Sequence, residues 1–216
     1  MELPIFPLNA VLFPGAAMPL HIFEERYKLM MGECLRERRP FGVALIRQGR
    51  EVGEPAEPLD VGTIAQIAAV ERLPEGRMNL VCVGADRFRI VRHISREPYL
   101  KSEVDVLAEP VEEDEETRSL AQRVADIFSE YAGLEIALSG GWSRETMLPS
   151  APGSLADQIA SRLPLGLPAK QRLLEELSPR MRLNGERVIL SAAVRRLQPL
   201  VASAHATRWQ GLPRLN

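Results

Sequence analysis

The chain has 216 residues, 45% of them hydrophobic and 26% charged, which is ordinary for a folded globular protein and too apolar for general disorder. Its 27 basic and 29 acidic side chains leave a formal charge of -2, so no whole-molecule field gathers nucleic acid or anionic lipid. No apolar run reaches the roughly 18 residues a bilayer crossing needs, and no basic leader precedes an apolar stretch, so a cytoplasmic protein is expected.

Leu3 to Leu8 and Met18 to Phe23 read as short strands, with Pro4, Pro7 and Pro19 at positions where a ladder hydrogen bond would be missing. Pro14-Gly15 between them is a turn signal. Tyr27, Met30, Met31, Cys34 and Leu35 then share one helical stripe, which ends near Arg39-Pro40. Cys34 and Cys82 are isolated thiols, expected to be buried in a reducing compartment.

Phe41, Val43 and Leu45 mark the next strand, and the polar stretch from Arg47 to Asp60 reads as a long loop. Gly62 to Leu73, Pro74-Glu75-Gly76 and Met78 to Val83 form a hairpin pattern. Beyond it, alternation sets Phe88, Ile90 and Ile94 on one face and Arg87, Arg89 and His93 on the other. Val104 and Val106 alternate with Glu103 and Asp105 as a half-solvated strand should.

At Glu109 the character changes: EPVEEDEE has too little apolar content to pack and reads as a connector. Helical spacing follows in Leu120, Val124, Ile127, Phe128, Tyr131 and Leu134. Gly140 to Pro152 breaks the pattern and leaves Trp142 and Met147 on a loop. Ser154 with Asp157 approximates an N-cap pair for a short helix, Pro168 is placed to start another, and a last helix runs from about Pro179 to Leu197. The expected layout is α+β, with a β-rich domain at 1–110 and a helical bundle at 111–205.

Catalytic apparatus is sparse. His21, His93 and His205 are dispersed, no HExxH or paired-cysteine spacing marks a metal site, and neither GxSxG nor GxxxxGK[ST] occurs. No cofactor, metal or catalytic residue is expected from these patterns. Arg87 and Arg89 could grip phosphate or carboxylate, or could be the wet side of a barrel paired with Glu103 and Asp105.

Leu3-Pro4, Phe6-Pro7-Leu8, Phe13-Pro14-Gly15, Met18-Pro19-Leu20 and Ile22-Phe23-Glu24 with Arg26-Tyr27 closely resemble the start of the amino-terminal, substrate-recognition domain of ATP-dependent Lon protease, in the form found in free-standing bacterial relatives. The likeness continues through Val61-Gly62-Thr63-Ile64-Ala65, Gly84-Ala85-Asp86-Arg87-Phe88, Leu155-Ala156-Asp157-Gln158 and Lys170-Gln171-Arg172-Leu173-Leu174. The resemblance implies a PUA-like pseudo-β-barrel with one inserted helix and a docked α-helical bundle. It also implies a role in engaging polypeptides, with the ATPase and the proteolytic serine–lysine pair lying in domains outside this chain. The expected function is a non-catalytic module binding a polypeptide or protein partner, with Phe6, Phe13, Ile22, Phe23, Arg87 and Arg89 as candidate contacts. RNA binding through the barrel, or a small-ligand role, is the alternative, against which the acidic balance counts.

Overall fold

The computed structural model describes residues 1–53, 56–139 and 147–210, the side chains of 205–210 excepted. Trp142, the glycine pair before it and the His205 side chain lie outside the described residues. Among the described residues, six strands and five α-helices make an α+β fold. They fall into two compact units, Met1–Pro110 with Ala160–Leu177, and Val111–Ile159 with the described residues of Ser178–Asn216.

In the first unit the strands are β1 (Glu2–Leu8), β2 (Ala17–Ile22), β3 (Phe41–Gln48), β4 (Glu57–Arg72), β5 (Met78–Ser95) and β6 (Lys101–Leu107). The sheet order is β2-β5-β4-β3-β1-β6, and a further β5–β6 pairing closes five of the strands into a ring. Each ring strand contributes to one apolar cluster: Ile5, Ala44, Ile64, Phe88 and Val104 come from β1, β3, β4, β5 and β6 respectively. Small residues make room for the Phe88 ring, since a Cβ on Gly42 or Gly62 would come within 2.8 or 2.7 Å of it.

The opposite face of the sheet packs on helix α1 (Glu25–Glu37), whose Tyr27, Met30, Met31 and Cys34 meet Phe6, Phe41, Leu80 and Cys82. This is the stripe the helical spacing predicts. The turn at Pro14-Gly15 is ordered: Gly15 adopts φ +72° and its N–H donates to the Gly84 carbonyl.

Several elements differ from the sequence reading. The hairpin arm and the arginine strand are one continuous eighteen-residue β5, because β4 stays paired with it from Arg72 back to Val61. The loop expected at 47–60 is shorter, since Gln48 and Glu57 already pair. Helix α5 (Pro179–Gln210) runs past Leu197 with Pro199 inside it, in a segment rich in alanine, the strongest helix former.

Residues 160–177 group with the β-rich unit rather than with the other helices. The reason is a third apolar cluster, in which Phe13 and Val61 pack against Ala160 and Leu174. Buried polar groups fasten the segment as well. Arg87 Nε donates to the Leu174 carbonyl at 2.8 Å, and Gln171 Nε2 donates to the Val61 carbonyl at 3.0 Å. Helix α4 (Leu167–Glu175), with Pro168 in its first turn, carries Gln171 and Leu174.

The second unit packs α2 (Glu115–Ser139) on α5. Its buried stripe on α2 is Leu120, Ala121, Val124, Phe128 and Tyr131. Helix α3 (Pro152–Arg162) starts two residues before the expected Ser154 cap, with proline in its first turn. Asp157 is therefore not a capping acid: it is buried and lies 3.6 Å from Arg182 Nε. On α5 the buried positions Leu183, Glu186, Leu190 and Val194 follow helical spacing, so Glu186 interrupts an apolar stripe.

Neither Glu186 carboxyl oxygen has a hydrogen-bond partner among the described residues, and burial pushes its pKa up to about 9 against the partial opposition of Arg182. Asp157, the other acid facing it, raises it further. An acid whose folded pKa is raised takes up a proton on folding between its unfolded pKa, about 4.3, and 9, so its contribution to stability is largest below that window and falls as pH rises through it. The slope is about 1 kcal/mol per pH unit. Glu186→Gln is expected to remove that slope, so that denaturant titrations at pH 5 and pH 8 show a stability advantage over wild type that grows with pH. Arg87→Met is expected to cost about 2–3 kcal/mol in the same measurement, because it strips a buried carbonyl of a charged donor.

Candidate functional site

The site is built on β2. Its register with β5 runs from Ala17–Val83 to Ile22–Met78, and Gly84 N–H donates to the Ala16 carbonyl. Antiparallel alternation then turns the backbone of Met18, Leu20 and Ile22 toward β5 and that of Ala17, Pro19 and His21 outward. Pro19, which has no N–H, sits at an outward position, as an edge proline must. Beyond its pairing with β5, β2 has no strand partner among the described residues. The edge thus presents N–H groups at Ala17 and His21 and three carbonyls.

Two depressions adjoin this strand and share Pro19, Leu20 and His21. One, of about 290 Å³, runs from Phe6 and Ile22 at its floor to Phe23, Glu51 and Val52 at its rim. The other, of about 450 Å³, lies over β4 and β5 against Ala69, Val70, Glu71 and Val81. Their rims expose apolar area: Phe23 is 46% and Val52 53% accessible. Val70 and Val81 are exposed too.

Local contacts hold the shape. Thr63 Oγ1 donates to the Leu12 carbonyl at 2.6 Å, which ties the β1–β2 connection to β4. Phe6 and Tyr27 pack with ring centroids 4.4 Å apart, and Arg26 lies over the Tyr27 ring. Burial raises the Tyr27 pKa, the nearby Arg26 opposing it in part. Glu24 pairs with Arg26 at 3.0 Å and accepts the Gly53 N–H, so the start of α1 fixes the loop that carries Val52. Glu51 accepts the Asn9 N–H. Across three strands, His21 Nδ1 contacts Asn79, whose amide donates to Glu71.

Of the six residues the sequence reading singles out, the fold brings Phe6, Ile22 and Phe23 to one depression. Phe13 is fully buried in a separate cluster with Val61 and Leu174. Arg87 is only 4% exposed and is held by the Leu174 carbonyl and by Glu109 at 3.1 Å, so it serves the packing of the fold and is not offered to a ligand at the surface. Arg89 is exposed but stands opposite Asp105 on the β5–β6 pair, away from the depressions. Glu51, Val52, Val70, Glu71 and Val81 join the site without having been singled out. Val70 and Val81 carried a signal, being apolar on hairpin arms too long to be covered; the loop residues Glu51 and Val52 carried none.

Two other groupings resemble chemical sites. Ser102 Oγ, His93 and Glu57 form a relay, with His93 Nδ1 2.9 Å from the hydroxyl and Nε2 3.2 Å from the carboxylate. Ser102 has no exposed surface, so no substrate carbonyl reaches it. A third depression, of about 390 Å³, lies at the C-terminal end of α1 beside Cys34, Arg38 and Arg39. There Arg39 already lies 3.1 Å from Glu33 and 3.2 Å from Glu37, and a helix C-terminus disfavours anions. Burial raises the Cys34 thiol and pushes Cys82 up to about 11. Neither is a ready nucleophile at neutral pH. A disulfide-exchange reagent at pH 8 is expected to find no fast-reacting thiol in the native chain and two in denaturant.

A family model described as the ATP-dependent protease La (LON) substrate-binding domain matches residues 2–192. The chain belongs to the Lon substrate-binding domain family. It is 31% identical over 186 residues to a Lon protease of Anaeromyxobacter dehalogenans, covering 84% of this chain and 22% of that one. It is 31% identical over 206 residues to Lon protease 2 of Sorangium cellulosum, covering 92% and 25%. The chain thus spans about a quarter or less of the proteases it matches. Among solved structures, a Lon N-terminal domain protein from Xanthomonas campestris superposes with a TM-score of 0.64 at 28% identity, covering 86% of this chain and 96% of that one. The N-terminal domain of a Mycobacterium avium complex Lon protease shares the fold at 20% identity, with a TM-score of 0.63 and coverage of 90% and 98%. Among the described residues, no helix is long and apolar enough to cross a membrane.

Proposed function

We propose that the chain is a polypeptide-recognition module that binds extended segments along the β2 edge and in the two depressions beside it, and that it binds without breaking bonds. The observation that carries this reading is the outward edge of β2, flanked by the exposed apolar side chains of Phe23, Val52, Val70 and Val81. Backbone groups at a strand edge recognise any extended chain, while the adjoining apolar hollows favour large side chains. Membership of a substrate-binding family supports the same reading. RNA is the weaker candidate, because the charged residues lining both depressions are the carboxylates Glu24, Glu51 and Glu71, which repel phosphate.

Fluorescence anisotropy with a panel of unfolded polypeptides and a single-stranded RNA tests this. Saturable polypeptide binding that changes little with modest salt is expected. The double change Phe23→Ser with Val52→Ser, at side chains about half exposed and so outside the core, is expected to weaken it about tenfold. Tight, steeply salt-dependent RNA binding without polypeptide binding would overturn the proposal.

A further inference from the structure

The charges around β2 carry a selectivity that its apolar surface does not. The depression beyond the β2 edge has Glu24 and Glu51 as its charged lining residues, and the one over β4 and β5 has Glu71. Glu24 is neutralised by Arg26 at 3.0 Å. The hydrogen bonds of the other two are to neutral donors: Glu51 accepts the Asn9 backbone N–H at 3.2 Å, and Glu71 accepts the Asn79 amide at 2.8 Å. Neither carboxylate has an ion-pair partner among the described residues, and neither lining includes a described lysine or arginine.

The two arginines singled out as candidate contacts do not line these hollows. Arg87 is buried against Glu109 and Leu174, and the exposed Arg89 stands opposite Asp105 on the β5–β6 pair. A chain lying on β2 therefore meets apolar side chains with one uncompensated carboxylate in each of the two hollows beside it. Lysine and arginine suit such a border, since their methylene stems lie on apolar surface while the charged head reaches a carboxylate. An acidic residue there would be repelled, and its cost would grow as the peptide excludes water from the hollow.

We propose that the preferred ligand of this surface is an extended apolar segment flanked by lysine or arginine, with Glu51 and Glu71 reading the flanking cations. This deepens the polypeptide-recognition reading and rests on it. Exposed ion pairs are individually weak, so the discrimination expected from two of them is about five- to tenfold rather than all-or-none.

The test uses the full chain and three labelled peptides sharing an apolar Val/Leu/Phe core as long as the six residues of β2, flanked on both sides by Lys, Ser or Glu. Anisotropy at low salt is expected to rank them Lys, Ser, Glu from tightest to weakest, with the gap between Lys and Glu narrowing in high salt. The double change Glu51→Gln with Glu71→Gln keeps an acceptor for Asn9 and for Asn79, so the fold is preserved. It is expected to bring the three peptides to similar affinity. Equal binding of all three by the wild-type chain, a preference for Glu, or a Lys preference that survives the double change would overturn the charge reading and leave polypeptide recognition standing. Binding of none of the three would overturn both.

Discussion

One side of β5 serves two strands in succession, and the architecture of the β-rich unit follows from that division. From Met78 to Val83 it pairs with β2; from Arg87 to Ser95 it pairs with β6, while β4 occupies its other side. The handover falls at Gly84, which exchanges hydrogen bonds with Gly15 and Ala16 at the end of the β1–β2 connection. A Cβ at Gly84 would lie 2.3 Å from the Phe13 carbonyl oxygen, so only glycine lets the connection pass this close. Because β6 takes the second half of β5 and closes the ring, β2 is left outside it with an edge that no strand among the described residues pairs. Closure of the core and exposure of the candidate site are two consequences of one register.

This explains which parts were legible from sequence. Turns, prolines and the α1 stripe are written within a few residues of where they act, so Pro14-Gly15 and Tyr27 to Cys34 are read locally. Alternation placed Arg87 opposite Phe88, which is geometrically right, yet it assumed that the face opposite the core is wet. The cover comes from Leu174, 87 residues away in the chain, and no periodicity reports on such a return. Phe13 escaped for the same reason: its apolar partners include Ala160 and Leu174. By contrast, the buried position of Glu186 was written in the spacing of Leu183, Leu190 and Val194, had the apolar face of the last helix been drawn.

The candidate site was half legible. Phe6, Ile22 and Phe23 were marked by being large and apolar in a proline-rich stretch, and strand register brings them to one hollow. Their burial differs in a way that matters. Phe6 and Ile22 form a rigid floor fixed by Tyr27 and the core, whereas Phe23 and Val52 form a rim that a ligand can cover. Loop residues join the rim through the Glu24 carboxylate holding Gly53, a contact between segments with no shared pattern.

Shallow hollows beside a strand edge suit recognition of many sequences better than tight capture of one. Edge hydrogen bonds are made by any backbone, and apolar rims accept several side chains, so neither discriminates strongly. Pro19 removes one outward donor from the middle of the edge, which interrupts the ladder and disfavours indefinite strand addition, including by a second copy. The net charge of -2 gives no long-range field to select partners, so any selection by charge would fall to the carboxylates beside β2. Arg26 is already paired with Glu24, which leaves Glu51 and Glu71 as the local sign that an incoming segment meets.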